Sequence, residues 1–151
     1  MNRTTLIALA AGGSAALLLG AFYYQLTGYP PCAMCIWQRW PHTAALAIGL
    51  VALLVPGRVL PLLGALAALT TSGIGLYHTG VERDWWEGPT SCTGTGDLGG
   101  LSGADLLSLD APRLVMCDQV SWEWLTLSMA SWNALFSLAL VAVWVMAARR
   151  A

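Results

Sequence analysis

Four cysteines in this chain have the spacing of redox-active or metal-binding groups. Cys32 and Cys35 form a C-x-x-C pair, and Cys92 and Cys117 follow further along the chain. Two thiols separated by two residues can close an exchangeable disulfide, and a helix N-terminus or a nearby cation favours their thiolate form. Arg39 lies four residues after Cys35, so in a helix these two residues share a face. We therefore expect Arg39 to favour the thiolate of Cys35 and to be able to hold an anionic reduced ligand.

The pairing of the cysteines is open from the sequence, because four cysteines allow three disulfide arrangements. A zinc site built from both pairs is one alternative, but structural zinc sites usually draw on two close-spaced pairs, and residues 93–116 separate Cys92 from Cys117. A purely structural disulfide between those two is another, and it would stabilise their loop by about 3 kcal/mol. If both pairs face the same side of a membrane, they can instead exchange a disulfide by thiolate attack. We expect exchange, and no bound metal.

The composition indicates a membrane protein rather than a soluble one. Apolar residues make up 57% of the 151 residues and charged residues 10%, and the mean hydropathy is +0.64. Soluble proteins carry about 25% charged residues, so this chain cannot cover a water-facing surface. All eight acidic residues lie between Glu82 and Glu123, which marks one water-exposed segment. The net charge of −1 and the lack of lysine leave no basic patch, so we expect no nucleic-acid partner.

The hydrophobic stretches predict an all-α integral membrane four-helix bundle, a single domain of residues 1–151. The transmembrane helices are expected at about residues 6–26, 36–55, 59–81 and 125–148, with a long polar loop, residues 82–124, between helices 3 and 4. The first stretch could instead be a cleaved signal peptide, but residues 22–24 are aromatic where a small-residue cleavage site would stand. Within the long loop, residues 98–109 have the weakly amphipathic pattern of a helix lying on the membrane.

The second helix must include polar residues to reach across a membrane. The apolar run of residues 44–55 is too short by itself, so we expect the helix to begin near Ile36. This start places Cys35 and Arg39 at the boundary between lipid and water. Pro41 would fit the first turn of a helix, or would kink it if it lies deeper, and the sequence leaves this open.

Small and polar residues predict close packing of the third and fourth helices. Gly64, Gly73 and Gly75 on the third helix would let a neighbouring helix approach closely in lipid. On the fourth helix, four polar residues are expected to hydrogen-bond to other helices: Ser128, Ser131, Asn133 and Ser137.

The arginines predict the orientation of the bundle. With the N-terminus inside, four of them fall on the cytoplasmic side, where short loops carry positive charge: Arg3, Arg58, Arg149 and Arg150. All the acidic residues then lie outside. Both termini are cytoplasmic in this arrangement, and the loops of residues 27–35 and 82–124 are extracytoplasmic. All four cysteines therefore face the oxidising compartment.

Five segments of the chain form a combined pattern. They are Pro31-Cys32-Ala33-Met34-Cys35-Ile36-Trp37-Gln38-Arg39, Tyr77-His78-Thr79-Gly80, Trp85-Trp86-Glu87-Gly88-Pro89-Thr90-Ser91-Cys92, Met116-Cys117-Asp118 and Ser128-Met129-Ala130-Ser131-Trp132-Asn133. Over residues 21–140 this pattern resembles the DsbB family, the disulfide bond formation proteins of bacterial inner membranes, whose signature is P-C-x-x-C-I-x-x-R. Gln38 departs from the acidic residue that some relatives carry there, so no carboxylate role is expected at that position.

The resemblance implies a quinone-dependent protein disulfide oxidoreductase of the inner membrane, with both cysteine loops in the periplasm. The implied partner is a DsbA-type thiol oxidase, a periplasmic protein of the thioredoxin fold. In its reduced form it would attack the Cys92–Cys117 disulfide at Cys92. Cys117 would then attack Cys32, and Cys35 would be released as a thiolate beside a quinone.

The resemblance also implies the quinone site. Arg39 would hold the head group of a ubiquinone or menaquinone from the membrane pool, with His78 nearby. From the residues alone, His78 fits equally well as a capping or interfacial residue. Trp37 and Trp40 could flank the quinone or belong to an aromatic belt. His42 is expected at the membrane interface rather than as a catalytic base.

Three other functions fit parts of the pattern. A vitamin K epoxide reductase-like protein also couples cysteines to a quinone, but its C-x-x-C follows the loop cysteines, whereas here it precedes them. A scaffold with two structural disulfides would not need Cys35 or Arg39 for redox exchange. A haem-binding bundle would need axial ligands, and the two histidines, His42 and His78, both fall near the outer membrane edge.

Overall fold

The computed structural model describes residues 1–93 and 115–150 and shows a bundle of four α-helices. The helices are α1 (Arg3–Leu26), α2 (Ala33–Leu54), α3 (Val59–Glu82) and α4 (Met129–Arg149), and two short antiparallel strands precede α4, β1 (Glu123–Trp124) and β2 (Leu127–Ser128). The prediction of an all-α four-helix bundle is confirmed. The surface helix predicted at residues 98–109 lies outside the described residues.

Three of the described helices are long and apolar enough to cross a membrane. They are α1, α3 and α4, with mean hydropathies of 1.9, 1.8 and 1.7 over their most apolar windows. The fourth helix, α2, is similar in length, with 22 residues, but has Gln38, Arg39 and His42 in its N-terminal half. Many large apolar side chains on the helices point outward, as a surface in contact with lipid requires: Leu19, Leu66, Leu76, Phe136 and Leu138 are exposed.

Side-chain caps explain where three helices begin. The side chain of Asn2 accepts a hydrogen bond from the backbone N–H of Thr5 at 2.8 Å at the start of α1. At the start of α4, Ser128 accepts in the same way from Ser131 at 3.2 Å. A cap of this kind satisfies a backbone N–H that has no partner within the helix. The N-cap of α2 is Cys32, so helix initiation and the C-x-x-C pair depend on the same residue.

The helix boundaries differ from the predicted spans at α1, α2 and α4, and α1 begins at Arg3 rather than near residue 6. α2 begins at Ala33 rather than near residue 36, because the sulfur of Cys32 supplies the cap. Pro41 lies inside this helix. α4 begins at Met129 rather than near residue 125, because the two short strands form a hairpin whose turn holds Leu125 and Thr126 at positive φ.

Neighbouring helices pack in the order α1, α2, α3, α4, and α4 closes the bundle against α1. Gly64 of α3 lies against the indole of Trp144 on α4, a fully buried side chain in the core near the N-terminus of α1. Nearer the other end, Gly75 lies against the backbone of Ala130. These contacts bring α3 and α4 close together, as small residues do in membrane bundles.

The predicted interhelical hydrogen bonds of the fourth helix and its cap are confirmed. Each of the four residues contacts a side chain of another helix: Ser128 to Glu82, Ser131 to Thr79, Asn133 to Gln38 and Ser137 to His42. Most of these contacts lie in the half of the bundle that carries Cys32. These hydrogen-bonded side chains therefore lie in the same half of the bundle as Cys32 and Cys35, whereas the opposite half contains the apolar core.

Candidate functional site

The C-x-x-C pair lies at the N-terminus of α2. Cys32 is buried, Cys35 is partly exposed, and their sulfurs are 2.8 Å apart as free thiols. The backbone N–H of Cys35 donates a hydrogen bond to the Cys32 sulfur at 3.2 Å. The hydrogen bond with Cys35 and burial raise the pKa of the Cys32 thiol. The raised pKa disfavours the thiolate form of Cys32 in the reduced pair.

Cys92 and Cys117 form a disulfide, with 5.2 Å between their Cα atoms. The structure thus selects one of the three pairings that the sequence allowed. These two sulfurs have no thiolate to offer a zinc ion, which removes them as half of a four-cysteine metal site. Both cysteines pack in one buried cluster with Cys32, Met34 and Val81. The two cysteine pairs, far apart in the sequence, are therefore neighbours at the same end of the bundle.

His78 connects the C-x-x-C pair to the interior of the bundle. Its ring is only 2% exposed, and Nε2 lies 3.6 Å from the sulfur of Cys32. Nδ1 lies 3.0 Å from the side-chain nitrogen of Gln38. The ligand atoms of Cys32, Cys35 and His78 lie within 4.8 Å of one another, close enough to be considered as metal ligands. His78 is thus a direct neighbour of the redox pair, which the sequence left undecided.

Glu82 is a site residue that the sequence analysis did not single out. Its Oε1 lies 3.8 Å from Nε2 of His78, and its side chain is 6% exposed. Its other carboxylate oxygen accepts a hydrogen bond from the hydroxyl of Ser128. The sequence marked Glu82 only as the first acid of the water-exposed segment. Its position four residues after His78, on the same helical face, was the signal that could have revealed it.

Arg39 lies between α1 and α2. Its Nη1 donates a hydrogen bond to the side-chain oxygen of Gln25 at 2.7 Å, and its guanidinium lies 4.8 Å from the ring centre of Phe22. Nε of Arg39 is buried and has no hydrogen-bond partner among the described residues. The side chain therefore has a buried donor available for a ligand.

A cavity of about 290 Å³ lies next to these residues. Its polar wall includes Cys35, Gln38, Arg39 and His78. Apolar residues of α1 and α4 form much of the remaining wall, among them Leu17, Leu18, Ala130 and Phe136. Apolar cavities with a few converging polar groups are the usual form of small-molecule sites.

The structure places the tryptophans, which the sequence left open, and the second histidine. Trp122, Trp124 and Trp132 line the cavity, whereas Trp37 and Trp40 are exposed and are not among its lining residues. His42 is buried, and its Nε2 lies 2.9 Å from the side-chain oxygen of Asn133. The prediction of an interfacial His42 is wrong, because α2 begins earlier and carries this side chain into the bundle.

Comparisons with known proteins agree with this arrangement. The family model described as "Disulfide bond formation protein DsbB" matches residues 3–147. "Disulfide bond formation protein B" of Aromatoleum aromaticum is 32% identical over 94% of this chain and 89% of that protein. The protein of the same name from Pasteurella multocida is 30% identical over 91% and 84%. "Disulfide bond formation protein B 2" of Pseudomonas aeruginosa is 30% identical over 93% and 87%.

No solved structure matches the chain. The family model nevertheless covers both cysteine pairs, His78, Arg39, the first three helices and the fourth helix up to residue 147. The expected resemblance is confirmed, and the chain belongs to the DsbB family of disulfide bond formation proteins.

Proposed function

We propose that this membrane disulfide oxidoreductase reoxidises a periplasmic thiol oxidase of the thioredoxin fold and passes the electrons to a quinone of the bacterial inner membrane. The observation that carries the proposal is the cavity beside the C-x-x-C pair. Cys32, Cys35 and Arg39 line it together with apolar residues of α1 and α4. A membrane-borne acceptor with an apolar tail and a polar head group matches such a wall.

Disulfide exchange between the two pairs accounts for the arrangement of the cysteines. A thiolate of the reduced partner attacks the sulfur of Cys92, which breaks the Cys92–Cys117 bond and releases Cys117. Cys117 attacks Cys32 in the oxidised C-x-x-C pair, and the electron pair of that bond leaves on Cys35. The common packing of Cys32, Cys92 and Cys117 in one buried cluster supports this order.

The residues around the cavity fit a quinone. The unpaired Nε of Arg39 is a buried donor without a partner among the described residues, and a quinone oxygen is an acceptor. When bound, a quinone takes up two electrons and two protons, which is what oxidising a dithiol to a disulfide releases. Arg39 orients the head group, and the apolar residues of α1 and α4 exclude water from the sulfur of Cys35.

The orientation of the bundle follows from its charges. The single membrane domain of residues 1–151 has both termini in the cytoplasm and the loops of residues 27–35 and 82–124 in the periplasm. The arginine-bearing α2–α3 loop and the arginines at both termini support this topology. Both cysteine pairs then meet a periplasmic partner in an oxidising compartment.

A coupled assay tests the proposed function. Purified protein is mixed with a reduced thioredoxin-fold oxidase and with ubiquinone or menaquinone analogues in turn, and loss of quinone absorbance is followed. We expect turnover with at least one quinone, and we expect Cys35→Ser and Cys92→Ser each to abolish it. Full activity in either variant would disprove the exchange between the two pairs. Comparing the two analogues identifies the quinone class.

A further inference from the structure

We propose that hydrogen-bonded side chains inside the bundle fix the ring tautomer of His78, so that its ring donates a hydrogen bond to the sulfur of Cys32. The side chains are Thr71 on α3, Gln38 on α2 and Asn133 on α4. They link three helices at the inner side of the C-x-x-C pair. The inference rests on the proposed function, because it concerns how the enzyme releases Cys32 during disulfide exchange.

The first step fixes the direction of the Asn133 amide. The backbone carbonyl of Gln38 can only accept, so the hydroxyl of Thr71, 3.0 Å away, donates to it. Having used its one proton, the Thr71 oxygen accepts from its next neighbour, the Asn133 side chain at 3.1 Å. The group of Asn133 that faces Thr71 is therefore its NH₂. The same nitrogen donates to the side-chain oxygen of Gln38 at 2.7 Å.

The second step fixes the Gln38 amide and, through it, His78. With its oxygen directed at Asn133, Gln38 directs its nitrogen at the backbone carbonyl of Met34, 3.3 Å away, and at Nδ1 of His78. The Met34 carbonyl can only accept, so it favours the same orientation of the Gln38 amide, although its contact is longer than the 2.7 Å contact with Asn133. Nδ1 of His78 must then accept, and a neutral ring carries its proton on Nε2.

Burial makes this series of hydrogen bonds rigid. Gln38 is 6% exposed and His78 is 2% exposed, so water has little access to either side chain. Reversing either amide would place an oxygen against a carbonyl oxygen and leave buried groups unpaired, which is costly in a low-dielectric interior. The orientation is thus determined by contacts from three helices.

The groups facing Nε2 of His78 are acceptors, as this tautomer requires. The Cys32 sulfur lies at 3.6 Å from this nitrogen, and Oε1 of Glu82 lies at 3.8 Å. A hydrogen bond of this kind strengthens when the sulfur becomes negative. The tautomer also argues against a metal site of Cys32, Cys35 and His78, because a protonated Nε2 has no lone pair to donate to an ion.

The charged sulfur arises in one exchange step. The second thiol of the partner first displaces Cys92 from the mixed disulfide, so that the partner leaves with its own disulfide. In the remaining intermediate with a Cys32–Cys117 disulfide, the thiolate of Cys92 attacks the sulfur of Cys117. The Cys92–Cys117 bond forms, the Cys32–Cys117 bond breaks, and the electron pair leaves on Cys32 with no net oxidation. His78 stabilises this leaving thiolate through its Nε2–H. Gln38, together with its buried partners, acts as a positioning residue.

Nitrogen NMR of the full-length protein reads the tautomer directly. The chain has two histidines, so ¹⁵N-histidine labelling gives two rings, and His78→Gln identifies the signals of His78. We expect the wild-type ring to carry its proton on Nε2. Asn133→Asp removes the donor to Gln38, so the Gln38 amide reverses and the proton of His78 moves to Nδ1. Gln38→Glu presents a carboxylate oxygen to Nδ1 and should have the same effect.

A matched control separates this effect from a general loosening of the bundle. Ser72→Ala removes a buried hydrogen bond between α3 and the backbone of Ala134 on α4, outside the chain that leads to His78. Its His78 signals and its turnover should equal those of the wild type. A shift of the His78 proton in this variant would contradict the proposed series of hydrogen bonds.

The kinetic readout is the rate at which the Cys32–Cys117 intermediate disappears in a single turnover, followed by quenching and non-reducing peptide mapping. We expect a decrease of about tenfold in Gln38→Glu and Asn133→Asp, as for loss of one hydrogen bond to a charged group. The kcat/KM for the thiol partner should not change, because that partner reacts at Cys92 in an earlier step. The inference would be overturned if the wild-type ring carried its proton on Nδ1. It would also be overturned if a variant moved the proton to Nδ1 without changing this rate.

Failure of the wild type to reduce any quinone would instead reject the proposed function, and the NMR result would stand.

Discussion

At the scale of single residues, Cys32 combines three tasks. Its sulfur caps α2, forms half of the C-x-x-C pair and contacts His78. A thiol is an unusual helix cap, since serine, threonine, aspartate and asparagine are preferred. The cap places the pair in the first turn of the helix, where backbone N–H groups favour negative charge on a sulfur.

Substitutions of Cys32 separate the cap from the chemistry. Cys32→Ser should lose all turnover but keep the stability of the wild type, because serine is a good N-cap. Cys32→Ala should lose turnover and also about 1 kcal/mol of stability. Thermal unfolding in detergent measures the difference. Equal unfolding temperatures for the two variants would show that the sulfur does not stabilise the helix end.

Arg39 is expected to act on quinone binding rather than on disulfide exchange. Arg39→Met should raise KM for the quinone by about tenfold to a hundredfold, the range for losing a hydrogen bond to a charged group. KM for the quinone in Arg39→Lys should lie between the wild-type value and that of Arg39→Met, because lysine keeps the charge but loses the planar set of donors of arginine. Arg83→Met is the control, since Arg83 contacts Thr126 and is not among the residues lining the cavity. An unchanged KM in Arg39→Met would remove this residue from the quinone site.

The carboxylate of the site comes from α3. Position 38, on α2, is a glutamine whose amide lies between His78 and Asn133. Glu82 supplies the buried carboxylate beside His78. A neutral amide at position 38 can donate and accept at once, which a carboxylate cannot. The amide therefore links His78 on α3 to Asn133 on α4 by hydrogen bonds.

At the scale of elements, close approach of α3 and α4 depends on particular glycines. A Cβ atom at Gly64 would meet the ring of Trp144 at 2.7 Å, which is closer than side-chain atoms pack. A Cβ atom at Gly73, on the same helix, would meet nothing within 4 Å. The two glycines therefore differ in role although they look alike in the sequence.

The glycine pair offers a matched test of helix packing. Gly64→Ala should lower stability by about 1–3 kcal/mol, because overpacking forces Trp144 to shift. Gly73→Ala should leave stability unchanged or raise it by up to about 1 kcal/mol, since alanine is the better helix former. Thermal unfolding of both variants in the same detergent gives the comparison. A larger loss at Gly73 than at Gly64 would contradict the packing of α3 on α4.

At the scale of the whole molecule, charge and function are segregated along the bundle axis. In the described part of the chain, the acidic residues and both cysteine pairs lie toward one end, and the α2–α3 loop with Arg58 lies at the other. The polar hydrogen-bonded interior belongs to the cysteine end, and the apolar core around Trp144 belongs to the opposite end. The two cysteine pairs thus lie in one half of the bundle, and the apolar core lies in the other half.

Labelling of intact cells tests the proposed topology. After mild reduction, a membrane-impermeant thiol reagent should label Cys92 and Cys117 from outside. In a variant without native cysteines, Arg150→Cys should be labelled only after the membrane is opened, because the proposed topology places the C-terminus in the cytoplasm. Labelling of Arg150→Cys in intact cells would reverse the orientation, and both cysteine pairs would then face the cytosol.

Local features of the sequence were sufficient for the fold and for part of the site. Hydropathy reports whether each segment prefers lipid, so the helices could be predicted without knowing their neighbours. The C-x-x-C pair and Arg39 could be identified because their relation spans only a few residues. Ser131 and Asn133 could be assigned to interhelical contacts because polar side chains in lipid require partners.

Only the tertiary structure decided which distant side chains meet. The Cys92–Cys117 pairing, the approach of His78 to Cys32 and the burial of Glu82 depend on how α3 and α4 are rotated against α2. Small side chains and shape set that rotation, and hydropathy does not encode it, since lipid-facing and buried positions are equally apolar. By itself the sequence determined a membrane helix bundle with a thiol pair at one edge. The packed bundle decided which groups surround that pair and in which direction their hydrogen bonds run.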